Sequence, residues 1–332
     1  MTPLLAALLL QPAAGPKPVA EFADPAARGP AAVRFDADGK ALVLTADGVG
    51  IPLKLWDVAT GKELRRFAGH AIQPLAVAVG PDGKTLAAAG IGSKSVRNAV
   101  QLWDLATGKP TLRLPADTPQ LHAVALSPDG NRLVSGGMDR AVTVWEVATG
   151  KPVAALPQFP APVQAVAFSP DGKLLAAGVP GVPAGGEVRV WDAGTFKEIA
   201  TLRSTHPILD SVAFSPDGKT LAVAVGDRVK KTGVVELWDV ATKKLTATLT
   251  GHAGRVWVAA FHPNGKFLAS GGSDQTARLF DLATGKELAV FPGHAARVTG
   301  LAFSPDGKRL AAGTGQGGSA KLWDIGSFVG PE

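Results

Sequence analysis

Hydrophobic residues in this chain come in short runs, continuous or alternating with polar ones, and each run is cut off by a turn rich in Gly, Pro or Asp. VQAVAFS from Val163, LLAAG from Leu174 and EVRVWD from Glu187 are typical. Such runs are too short for helices, and their Val, Ala and Leu content predicts strands. The turns are of two kinds. One is Pro-Asp-Gly or a near relative, at Asp38-Gly39, Pro81-Asp82-Gly83, Pro128-Asp129-Gly130, Pro170-Asp171-Gly172, Pro216-Asp217-Gly218, Pro263-Asn264-Gly265 and Pro305-Asp306-Gly307. Pro fixes a backbone angle, Asp offers a side-chain acceptor and Gly takes the positive φ, so each copy predicts a tight hairpin turn. The other, ATGK and its variants, follows an aromatic–acid pair at Trp56-Asp57, Trp103-Asp104, Trp145-Glu146, Trp191-Asp192, Trp238-Asp239, Phe280-Asp281 and Trp323-Asp324.

Both series step by 42 to 47 residues, and each period has room for four strands, a to d. Between Val256 and Phe291 they read VWVAAF, FLASG, ARLFD and KELAVF. Seven four-stranded antiparallel units at one spacing predict an all-β fold, a β-propeller of seven blades. The Gly-His pairs at Gly69-His70, Gly251-His252 and Gly293-His294, together with the Trp-Asp series, resemble the WD-repeat family from about Lys17 to Asp324. That resemblance implies a hydrogen-bonded tetrad within each blade, made of Trp, a strand b Ser or Thr, the Gly-His histidine and a turn Asp. Here the set is fragmentary. His252, Ser270 and Asp274 stand in place with Phe280 instead of Trp; Ser135, Asp139 and Trp145 are present with Asp117 at the His position; His70 with Trp103, and His294 with Trp323, remain as pairs. The seven aromatics are expected between neighbouring sheets, where a ring buries much apolar area. The three Gly-His histidines are expected to make structural hydrogen bonds.

A ring of blades must pair its last sheet with its first or leave two raw strand edges. After Trp323-Asp324 only IGSFVGPE follows, so the seventh copy lacks strand d, while KPVAEF at Lys17 to Phe22 precedes the first strand a and matches KPVAAL at Lys151. Val19 to Phe22 is therefore expected to supply the outer strand of the seventh blade. The propeller domain then spans residues 17–328, with an apolar segment at 1–16. The run from Leu4 to Leu10 is too short to span a bilayer, and export by a cleaved leader and cytoplasmic retention both remain open.

In a four-stranded meander the a–b and c–d turns share one face, which here carries the uniform PDGK and ATGK turns. Variable loops at 90–99, 181–187, 226–234 and 313–319 share the other, the face on which binding is usually placed. Counting eight residues back from each Pro-Asp-Gly proline gives Gln73, Gln120, Pro162, Ile208, Arg255 and Arg297 at the entries to the inner strands. Two residues on stand Leu75, His122, Gln164, Asp210, Trp257 and Thr299. Trp257 is the one indole outside the Trp-Asp series. Trp and Arg dominate binding hot spots, so Arg255, Trp257 and Arg297 are the leading contact candidates, with His122, Gln73, Gln120 and Asp210 beside them.

Composition narrows the function. Cysteine is absent, which removes thiol catalysis, disulfides and cysteine metal sites together. A net charge of +6, from 34 basic and 28 acidic residues, is spread over repeated turns rather than clustered, against a nucleic-acid stripe. GTGQGG at Gly313–Gly318 fits a dinucleotide pattern but joins two strands of a hairpin with no helix after it. The Gly-Lys-Thr triplets at Gly83 and Gly218 lack the upstream glycine of a phosphate loop, and no histidine pair has metal-ligand spacing on one local element. The expected function is a non-catalytic protein-interaction scaffold, monomeric by itself, with protein partners, no nucleic acid, no membrane span, no cofactor and no metal. The alternative is an enzyme or small-ligand binder using the central channel.

Overall fold

A computed structural model describes residues 15–23, 32–45, 53–69, 72–92, 99–115, 118, 120–181, 185–227, 229–315 and 318–330. His70, Asp117, most of the apolar segment at 1–16 and parts of all four variable loops lie outside the described residues. Seven four-stranded antiparallel sheets form, each with its strands in sequence order except the one that joins the two ends of the chain. Blade 6 shows how closely turns dictate strands, running Val256–Phe261, Phe267–Gly272, Ala277–Asp281 and Glu287–Phe291. The inner strands contact one another in a closed cycle, with Val33–Phe35 of blade 1 against Val298–Phe303 of blade 7.

Both turn types do local work that explains their recurrence. In the Pro-Asp-Gly turns the glycines hold φ between 63° and 73°, and in blade 3 Asp129 accepts from Ser127 while Ser127 Oγ accepts the Arg132 N–H at 2.9 Å. The acid of the Trp-Asp pair closes the other turn. Asp57 Oδ1 takes both the N–H and the hydroxyl of Thr60 at 2.7 Å, and Asp104, Asp192, Asp239 and Asp281 repeat this with the threonine three residues on. These hydrogen bonds hold the exposed carboxyls below the usual range. Where the pattern GTFK or ATKK replaces TGK, Phe196 and Lys243 adopt φ of 57° and 61°, the left-handed region that glycine occupies elsewhere. One hydrogen bond per blade ties the two turns together, from Val58 to Lys40 in blade 1 through Ile325 to Lys308 in blade 7, which sets both on one face.

The core lies between blades. Seven apolar clusters each combine residues of two neighbouring sheets, and each Trp-Asp aromatic packs toward the preceding blade. Trp103, Trp145, Trp191, Phe280 and Trp323 are buried. Trp56 and Trp238 are only half-buried, a departure from the expectation for all seven. Charged side chains two residues upstream cover them instead, Lys54 Nζ at 5.7 Å from the Trp56 ring and Glu236 accepting the Trp238 N–H at 3.1 Å.

The seam closes where the repeat arithmetic places it. Ala20–Ala23 pairs with Ser319–Asp324 in register Ala20↔Leu322 and Phe22↔Ala320, so the strand starts one residue later than expected, with the Val19 N–H still bonded to Leu322 O at 2.7 Å. Phe22 is buried and meets Trp56 edge-on at 6.2 Å, the contact that Phe67 makes with Trp103 and Phe159 with Trp191 inside the ring. A short helix, Gly326–Val329, not anticipated from the sequence, follows the last strand and sets Phe328 against Phe291 at 6.1 Å. Deleting residues 17–24 removes this strand and the whole Phe22 side chain, whose loss alone costs about 3–5 kcal/mol. The truncation is expected to melt well below the full chain in a calorimetric scan, and an unchanged melting temperature would show that the seam contributes nothing.

Candidate functional site

Residues from all seven inner strands line a central channel of about 170 Å³. Leu75, His122, Gln164, Asp210, Trp257 and Thr299 all lie on its wall. The reason is a repeated irregularity of the backbone. The a–b ladders skip one residue between Pro74 and Ala76, Leu121 and Ala123, Leu209 and Ser211, Val256 and Val258, and Val298 and Gly300. The skipped residues are Leu75, His122, Asp210, Trp257 and Thr299. A bulge frees one residue from the ladder and re-aims its side chain, so five blades each turn one residue toward the channel mouth.

On the side of blades 5 to 7 these residues form a cluster. The Arg255 guanidinium makes a two-pronged ion pair with Asp210 of the preceding blade, both side chains being largely buried. The same guanidinium lies 3.8 Å from the Trp257 ring centroid, and that of Arg297, from blade 7, lies 4.6 Å from it. Trp257 donates its indole N–H to Ser273 Oγ at 2.8 Å, fixing the ring. Guanidinium stacking on indole is favourable because the ring face is electron-rich. Arg297 is exposed, and among the described residues no carboxylate pairs with it. Gly315 donates its N–H to Arg297 O at 2.7 Å, and a Cβ at 315 would fall 2.7 Å from Arg297 Cγ, so glycine there makes room for the arginine stem. Asp210 neutralises Arg255, which leaves Arg297 as an uncompensated cation among the described residues of this rim.

The other candidates are spent locally. Gln73 pairs with Ile91 in the ladder of blade 2, and Gln120 bridges to the same Ile91 from blade 3. Gln120 Oε1 lies 3.1 Å from His122 Nε2, and burial pushes the His122 imidazole below its ordinary value.

Of the tetrad fragments, blade 6 is assembled without its Trp. His252 bonds Asp274 at 2.9 Å and Ser270 at 2.8 Å. Burial pushes Asp274 up, but the hydrogen bond and charge of His252 and the Ala253 N–H outweigh it, and the carboxyl sits well below its usual range. In blade 3 the Trp145 N–H reaches Ser135 at 2.9 Å. His294 corrects an expectation: among the described residues neither ring nitrogen has a hydrogen-bond partner, and the imidazole only packs against Trp323 at 5.3 Å. Ala312 stands where blade 6 has Ser270, as the pairings Ala312↔Lys321 and Ser270↔Arg278 show, so the acceptor is missing. Blade 5 builds a network of another kind, in which buried Glu236 accepts from Ser204 at 2.9 Å and from Trp238, and lies 3.0 Å from His206 Nδ1. The only sequence signal for it is the Glu of VELWD, where other copies carry Lys54, Gln101, Thr143, Arg189, Arg278 and Lys321. Among the described residues no three His, Asp or Glu side chains gather to hold a metal, and no helix is long and apolar enough to cross a membrane.

The closed ring, its two turn types and these tetrad fragments define a seven-bladed WD-repeat β-propeller. Residues 243–281 and 285–324 match the family model described as WD domain, G-beta repeat. Each match ends at the acid of an aromatic–acid pair, so the sequence repeat runs from one blade's outer strand to strand c of the next. Residues 92–253 match the model described as Eukaryotic translation initiation factor eIF2A, over blades 2 to 5. No curated protein matches the chain. The last two sequence repeats are thus WD repeats, and the other five carry the same turns and aromatic–acid pairs at the same spacing.

His294 supplies a pH test. Burial, then the nearby charge of Lys321, pushes its pKa down to about 4 from 6.5. Between those values the unfolded chain binds a proton that the folded chain refuses, so the stability is complete above about pH 6.5 and falls as pH drops toward 4. The loss amounts to roughly 3 kcal/mol for that gap. Denaturant titrations at neutral pH and near pH 4 are expected to show a smaller acid loss for His294→Phe than for wild type; equal losses would place the acid sensitivity elsewhere.

Proposed function

We propose that this propeller is a non-catalytic protein-interaction scaffold whose partner presents an acidic segment to the rim formed by Asp210, Arg255, Trp257 and Arg297. WD-repeat propellers generally mediate protein interactions, and the coarse assignment follows from the family. The rim carries the finer reading. An indole fixed by Ser273, flanked by one guanidinium neutralised by Asp210 and, among the described residues, one without a carboxylate partner, presents a rigid, positively charged surface. Such pre-ordered Trp and Arg groups are the ones that dominate interface energetics, because little side-chain entropy is lost on docking. The likeness to the translation initiation factor model stops at residue 253, before Arg255, so the chemistry of the partner is read from the rim alone.

The ion pair dictates the choice of variant. Arg255→Ala takes a two-pronged guanidinium away from a buried carboxylate, a loss of about 3–5 kcal/mol that confounds any binding assay. Arg297→Ala removes the free charge and spares the pair. Fluorescence anisotropy with a labelled oligoglutamate peptide is expected to show binding that Arg297→Ala weakens roughly fivefold or more, while Lys286→Ala on the opposite turn face leaves it unchanged. Equal weakening by the two variants, or equal binding of an oligolysine peptide, would sink the assignment.

A further inference from the structure

Deeper in the channel stands one residue with no counterpart in the other blades. At the third position of the inner strand's Ala-Val-X-Phe pattern blade 1 carries Arg34, whereas blades 2 to 7 carry Ala78, Ala125, Ala167, Ala213, Ala260 and Ala302. Six alanines show that the fold needs nothing larger here. Arg34 lines the channel, and its Nη1 donates to Val33 O at 2.8 Å and to Leu301 O at 3.4 Å, across the seam between blades 1 and 7. Among the described residues its other guanidinium donors have no protein acceptor, and no carboxylate pairs with it. Among the described residues the one carboxylate on the channel wall, Asp210, is engaged by Arg255. Burial pushes the Arg34 guanidinium down from its ordinary value, yet arginine stays charged under all ordinary conditions.

A half-buried cation without a counter-charge among the described residues is costly, and a guanidinium offers a fork of donors matched to the oxygens of an oxyanion. Thr299 Oγ1, also on the channel wall, is buried and has no hydrogen-bond partner among the described residues. The channel's volume of about 170 Å³ equals that of roughly five or six waters in the liquid, enough for one small oxyanion. We propose that the central channel is a binding site for a free small oxyanion, of the phosphate, sulfate or short-carboxylate class, with Arg34 as its charge partner and Thr299 as a further hydrogen-bonding group. This site lies below the rim and is independent of the scaffold reading.

Isothermal titration of the full chain with inorganic phosphate, sulfate and acetate, at constant ionic strength in chloride, tests it. Wild type is expected to bind at least one of the three saturably with one site per chain. Arg34→Ala, which installs the residue of the other six blades and is expected to fold, should weaken that binding at least about tenfold, the loss expected for a charge-assisted contact. Arg297→Ala should leave it intact, which separates the channel from the rim. A circular dichroism melt confirms the fold of each variant. No saturable binding of any of the three to wild type, or binding retained by folded Arg34→Ala, would overturn the proposal.

Discussion

Everything in this structure depends on apolar contact between sheets that are each too small to be stable alone. A four-stranded blade has two faces to cover, and here each face is covered by a neighbour, so that the seven clusters exist only if the ring closes. Strand b makes the approach close, with Ala88, Ala177 and Ala312 fully buried where the family pattern favours Ser or Thr. Those alanines replace tetrad hydrogen bonds with packing. Their cost is visible as well: the indole nitrogen of Trp191 and both nitrogens of His294 are buried without partners among the described residues. The ring therefore leans on shape more than on polar networks, and the edge-on Phe–Trp contacts between successive blades are its most regular element.

The strands, the blade number and the seam were legible in the sequence because turns are local and repeated. Pro-Asp-Gly and Thr-Gly-Lys specify backbone angles whatever surrounds them, and seven copies remove the ambiguity that any single copy carries. The outer strand supplied by Ala20–Ala23 could be read by matching KPVAEF to its kin. What the sequence hid was non-local or irregular. The bulges that turn Asp210 and Trp257 into the channel leave no mark beyond the register count, and the pairing of Asp210 with Arg255 joins residues of different blades. Arg34 escaped the count because it stands three residues before the turn position Ala37, whereas the count took the residues eight and six before each turn. The left-handed Phe196 and Lys243 show tertiary context overriding a turn's usual glycine.

At the channel mouth some side chains are paired with one another and others are left exposed. The Asp210 carboxylate spends its charge on Arg255 and thereby clips blade 5 to blade 6. Trp257 and Arg297 are held by Ser273, just beyond the strand Phe267–Gly272, and by the space at Gly315 in the variable loop 313–319. Loops that differ from blade to blade thus decide how identical inner strands present their bulged residues, which is how a repeat of near-equal parts acquires one distinctive sector.

The seam also has a history in time. Ala20–Ala23 leaves the ribosome before the strand it must join, Ser319–Asp324, and at ordinary synthesis rates it waits roughly 15 to 60 s for that partner. Throughout that interval it is a naked edge in a crowded cell, open to adhesion with any other nascent strand. Brevity and the outward charge of Glu21 are the features that blunt such an edge. The clasp that finishes the ring is, on the same account, built to stay inert until its mate is made.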